Sequence, residues 1–126
     1  MSHKIIKSNR VPDAIGPYSQ AVCYGNLLFC SGQIALDPHT MHVVDGGIRE
    51  QTIQVMENIK SLLEDAGSSM DRLLKCSIFL ASMDDFAVVN EIYGSYVQSS
   101  KPARETMAVR TLPKNVLIEI SATAYI

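Results

Sequence analysis

Residues 116–125 alternate in character along their whole length. Val116, Ile118, Ile120, Ala122 and Ala124 would share one face of a strand, while Leu117, Glu119, Ser121, Thr123 and Tyr125 share the other. A period of two sustained over ten residues requires a sheet with one fully covered face and one mixed face. Leu73–Leu80 alternates as well, with Leu74, Cys76, Ile78 and Leu80 on one side and Lys75, Ser77 and Phe79 on the other. Ala21–Tyr24 and Leu27–Gln33 flank Gly25-Asn26, which reads as a two-residue hairpin turn. The second hairpin strand then presents Leu27, Phe29, Ser31 and Gln33 together. A further strand is expected at about 106–110, and 38–47 reads as a loop.

Two segments carry a helical period instead. Ile53, Met56, Ile59, Leu63 and Ala66 recur at three- and four-residue steps, and Gly67 supplies a stop. Phe86, Val89, Tyr93, Tyr96 and Val97 form the second stripe, with Asp84 as its cap and Pro102 beyond its end. The order is β-β-α-β-α-β-β in one domain spanning 1–126. Right-handed crossovers place both helices on one face of a single sheet, an α+β fold. Leu27, Phe29, Phe79 and Leu117 would then lie on the uncovered face, which points to an oligomer with sheet faces packed together.

Composition narrows the function. With 11 basic and 13 acidic residues and a net charge of -2, the chain has no basic track for a nucleic-acid backbone. Nothing resembles a secretory leader or a membrane span, so a cytoplasmic protein is expected. Cys23, Cys30 and Cys76 form no C-x-x-C pair and read as reduced, packed thiols. Asp37, His39, His42 and Asp45 lack regular ligand spacing, so no metal site is expected. Phosphate cradles, nucleophile elbows and dinucleotide fingerprints are absent.

Several residues are candidates for chemistry, each with a plainer alternative. Arg104, between a helix end and a strand, offers a planar grip for a carboxylate, or an ordinary ion pair with Glu105 or a neighbouring subunit. Tyr18 follows the Gly16-Pro17 bend and either lines a cleft or packs. Ser31 and Gly32 allow close approach to the backbone, or mark a bulge. Asn90 holds a ligand or loop, or is solvated. Glu119 and Ser121 share a face, and Glu119 is a base or one half of a structural ion pair.

Taken together, Gly16-Pro-Tyr18-Ser-Gln-Ala21, Ser31-Gly-Gln-Ile34, Val89-Asn-Glu-Ile-Tyr93, Pro102-Ala-Arg104 and Leu112-Pro-Lys114 resemble the YjgF/RidA family over nearly the whole chain. The resemblance implies a fold like trimeric chorismate mutase, a homotrimer with a ligand site at each subunit contact, and no cofactor. It implies hydrolysis of reactive 2-imino acids to 2-keto acids and ammonia. Arg104 would pair with the substrate carboxylate, and Tyr18, Ser31, Gly32, Asn90, Thr106 and Ser121 would line the pocket. Thr106 stands where some members carry cysteine. Many members read Ile-Glu-Ile-Glu-Ala on the last strand, the second glutamate serving the attacking water; here the stretch is Ile118-Glu119-Ile120-Ser121-Ala122. Two other functions follow from that departure and from the family's reputation. One is a carboxylate-binding module without turnover. The other, an RNA-cleaving or translation-inhibiting activity, has little support in this charge balance.

Overall fold

The computed structural model describes residues 2–126. Its elements are β1 (Lys4–Ile6), β2 (Ala21–Tyr24), β3 (Leu27–Gln33), α1 (Ile48–Asp65), β4 (Leu73–Leu80), α2 (Phe86–Tyr96), β5 (Ala103–Ala108) and β6 (Ile118–Tyr125). One six-stranded mixed sheet runs in the order β1-β2-β3-β6-β4-β5. All neighbours are antiparallel except β4 and β5, the parallel pair that α2 connects. The α+β architecture with its helices packed together on the sheet is as the sequence pattern requires.

The core lies between the helices and one sheet face. Met56, Ile59, Leu62 and Leu63 of α1 meet Leu28, Ile78, Leu80, Ile118 and Ile120, all essentially inaccessible to solvent. Each such side chain contributes about 1.5–3 kcal/mol by leaving water. Helix α1 closes as its glycine demands. Gly67, at φ +87, lets the Gly67 amide reach the Glu64 carbonyl and the Ser68 amide reach the Leu63 carbonyl. The hairpin turns at Gly25, φ +62, where Tyr24 and Leu27 face each other.

The structure departs from the sequence pattern at several places. Strand β1 went unread because three residues at a sheet edge carry no usable period. Strand β5 occupies Ala103–Ala108 rather than 106–110, its pairing with β4 beginning directly after Pro102. Strand β6 begins at Ile118, since 113–115 form a tight turn with Lys114 and Asn115 at positive φ. A register shift between Leu73 and Lys75 buries Leu73 and turns Leu74 outward. A second shift, between Cys30 and Gln33, moves Gln33 to the buried side, away from Ser31.

On α1 the buried stripe is rotated, leaving Ile53 exposed and placing Gln51, Thr52 and Asn58 inside. These polar groups are satisfied there. Gln51 Oε1 accepts from the Leu117 amide at 2.8 Å, and Asn58 Nδ2 donates to the Leu36 carbonyl at 3.0 Å. Asp84 does not cap α2. Ser82 Oγ accepts from the Asp84 amide and caps the short 3₁₀ turn that precedes the helix.

Candidate functional site

Arg104 stands on edge strand β5 opposite Cys76 of β4, so it shares the helix-covered side of the sheet. Phe86, Asn90 and Tyr93 recur on α2 at steps of four and three, which stacks them over that arginine. Arg104 Nη1 donates to Asn90 Oδ1 at 2.6 Å, and its Cζ lies 5.4 Å from the Tyr93 ring centroid and 5.5 Å from that of Phe86. Glu105 is not its partner. That carboxylate sits on the opposite face, 2.7 Å from Ser77 Oγ and 3.7 Å from Lys75 Nζ, and both hold it below the usual carboxylate range, Ser77 first. Among the described residues no carboxylate lies within ion-pair distance of Arg104. A shallow cavity of about 370 Å³ opens here, lined by Asn90, Tyr93, Lys101, Pro102 and Arg104. Thr106 shares the Arg104 side, opposite Ile78, and its hydroxyl is buried with no hydrogen-bond partner among the described residues.

A larger cavity, about 590 Å³, lies elsewhere. Tyr18, Ser31, Gly32, Lys114 and Glu119 line it, with an apolar wall that includes Ile15 and Ile34. Its rim is the segment between β1 and β2, held by Gln20. The buried Gln20 amide donates to the Ser8 and Pro12 carbonyls and accepts from the Ser8 amide. Ser31 Oγ donates to the Ser19 carbonyl at 2.6 Å, tying that segment to β3. Tyr18 is half exposed, and its hydroxyl accepts from the Ile15 amide at 3.3 Å.

Glu119 is one of the ionisable groups of this cavity, with Asp13, Tyr18 and Lys114. Burial pushes its carboxyl above the usual carboxylate range. It has no ion-pair partner among the described residues. Gly32 is what makes room for it: a Cβ at that position would stand 2.2 Å from Glu119 Oε2. Both lie beside the register shift that ends at Gln33. Ser121 falls one pleat further along β6, opposite Ser77, and lines neither cavity. The family resemblance points to Ser121 as a pocket position; of the two residues, Glu119 is the one that lines the larger cavity.

Apart from Ser121, the expected site residues therefore form two groups, at cavities with no lining residue in common. Arg104, Thr106 and Asn90 lie on the helix side at β5. Ser31, Gly32, Tyr18 and Glu119 belong to the cavity beside β3 and β6, where Glu119 projects from the open face. The sequence pattern puts Phe86 and Tyr93 on the apolar stripe of the second helix, and their spacing around Asn90 places all three on one side. Gln20 gave no signal beyond its place in the Gly16–Ala21 motif. In the 38–47 loop, Asp37 Oδ1 accepts from the His39 and Thr40 amides, a turn-forming role. Cys30 and Cys76 are free and buried, and burial pushes the Cys30 thiol up to about 12. No described helix is long and apolar enough to cross a membrane.

The comparisons with known proteins agree with one another. The family model described as endoribonuclease L-PSP matches residues 8–126. A RutC family protein of Pyrococcus abyssi is 48% identical, with 99% of this chain and 98% of that protein covered. The 2-iminobutanoate/2-iminopropanoate deaminase of Mus musculus is 42% identical, over 96% of this chain and 90% of that one. The solved structure of TdcF of E. coli with bound serine superposes with a TM-score of 0.91 at 37% identity, covering 98% of both chains. The chain belongs to the endoribonuclease L-PSP family, whose members include the RutC and RidA proteins.

Proposed function

We propose that this protein hydrolyses 2-imino acids such as 2-iminobutanoate and 2-iminopropanoate to 2-keto acids and ammonia. The observation that carries the proposal is the unpaired, partly buried Glu119 carboxyl beneath Gly32. An ionised Glu119 accepts a proton from water as the water oxygen bonds to the imine carbon. The C=N π pair of the protonated imine moves to nitrogen, which then takes that proton from Glu119. The carbon–nitrogen bond breaks, ammonia leaves with its electron pair, and the hydroxyl proton passes to Glu119 as the carbonyl of the keto acid forms. General-base help of this kind is worth about 10²–10⁴-fold. Arg104 holds the substrate carboxylate with paired charge-assisted hydrogen bonds, and Asn90 keeps the guanidinium in place. Tyr18, Ser31, Gly32 and Thr106 bound the space between them. The imine deaminase name of the mouse relative supports the reaction type, and the serine bound to TdcF shows an α-amino acid held by a protein of this fold.

Because Arg104 and Glu119 serve different cavities on opposite sides of the sheet, a complete site is formed by two copies of the chain. Leu27, Phe29 and Met107, each more than 40% exposed, supply apolar surface for that contact. The family resemblance supports a homotrimer as that assembly.

The test is a coupled assay in which threonine dehydratase generates the imine. This protein should accelerate 2-oxobutanoate release over buffer, and Arg104→Ala should reduce kcat/KM by about 100-fold or more. Keto-acid release no faster than buffer would leave only a carboxylate-binding module. An unchanged rate in Arg104→Ala would remove the arginine from the site.

A further inference from the structure

We infer that Phe86 and Tyr93 are positioning residues that hold the Arg104 guanidinium without neutralising it. The usual way to fix an arginine is to give it a carboxylate. A carboxylate here would compete with the substrate anion for the same donors. The protein instead offers two ring faces, at 5.5 and 5.4 Å, and one neutral amide oxygen, at 2.6 Å. Ring quadrupoles attract the cation and restrict the plane of its fork, yet carry no net charge. The positive charge therefore stays available to an incoming anion. Glu105, the nearest acidic residue in sequence, is turned to the other face and held by Ser77 and Lys75.

The clamp is anchored. Tyr93 is 4% exposed and packs in the core, while Phe86 begins α2 and lies half-buried against it. Burial pushes the Tyr93 hydroxyl above the ordinary phenol range and keeps it neutral. The side chain thus acts on Arg104 through its ring. The ring geometry stands on its own, and its effect on ligand affinity rests on Arg104 gripping a carboxylate, as proposed above.

The experiment follows the Arg104 Nε–Hε resonance by NMR in the full-length protein, assigned with Arg104→Lys, alongside 2-oxobutanoate binding by calorimetry. In the wild type the resonance should be displaced by the ring currents. Tyr93→Leu and Phe86→Leu should each move it toward the position of solvated arginines and weaken 2-oxobutanoate binding by about 3–30-fold. Tyr93→Phe and Phe86→Tyr should retain both properties. Should Tyr93→Leu fail to fold, the half-buried Phe86 pair of variants still decides the question. Leucine variants that leave the resonance in place overturn the clamp, as does a Tyr93→Phe that falls as far as Tyr93→Leu. If Arg104→Ala binds 2-oxobutanoate as tightly as the wild type, the functional reading fails, and the clamp is decided by the resonance alone.

Discussion

The two halves of the proposed site hold their charges by opposite means. At Arg104 a permanent cation is surrounded by rings and an amide, so its position is fixed while its charge remains uncompensated. At Glu119 a titratable carboxyl is left without an ion partner and partly withdrawn from water, so its charge is what the surroundings tune. A carboxylate grip needs orientation, and a base needs a pKa near its working range. On the proposed reading those two needs fall to different strands, different faces and different kinds of neighbour.

If both halves are needed and come from different chains, the sharpest test is complementation. Arg104→Ala and Glu119→Gln should each be nearly inactive, with kcat of Glu119→Gln lower by about 10²–10⁴-fold and its 2-oxobutanoate affinity little changed. Unfolding and refolding an equal mixture should restore about a quarter of wild-type activity, since random pairing joins one intact Arg104 to one intact Glu119 at that frequency. Recovery of none would place both groups in one chain and break the comparison.

Gly32→Ala probes the Glu119 half alone. The new methyl group must displace Oε2, which costs about 10–100-fold in kcat through misplacement while sparing carboxylate affinity. Asn90→Asp probes the other half. By giving Arg104 a carboxylate partner it should weaken 2-oxobutanoate binding more than Asn90→Ala does, by roughly tenfold, as calorimetry would show.

The pH profile of kcat sharpens the contrast further. Its acidic limb should lie above 4.5, the ordinary glutamate value, because burial raises Glu119. Glu119→Gln should abolish that limb, and a limb at or below 4.5 would contradict the assignment. The same shift acts on stability. A raised folded pKa means a contribution present at low pH and lost as pH rises through the folded value, so Glu119→Gln should be the more stable protein only above that range. The smallest effect is expected at Ser121. Ser121→Glu should change the rate by no more than about twofold, because that position lines neither cavity.

Much of this was legible in advance. Strict alternation in β6 identifies the covered face; Arg104, Asn90, Tyr18, Ser31 and Gly32 are singled out by the family resemblance, and the structure distributes them over two cavities. The places that were not legible share a cause. Alternation counts residues, so each register shift inverts every facing beyond it. Leu74 and Gln33 were misplaced for that reason. The α1 stripe was misjudged because Gln51, Thr52 and Asn58 look like surface residues until their partners, the Leu117 amide, the Ile48 carbonyl and the Leu36 carbonyl, are seen. Glu119 and Ser121 differ by one pleat, and only the close approach at Gly32 tells which of them meets the cavity.

The opposite facing of Arg104 and Glu119 ties the proposed activity to mass action. If the proposed site spans two copies, an isolated chain lacks one half of it. Dilution below the assembly's dissociation constant should lower specific activity itself, and ligand that bridges two chains should draw them together. Turnover would then depend on the concentration of the protein as well as on that of its substrate.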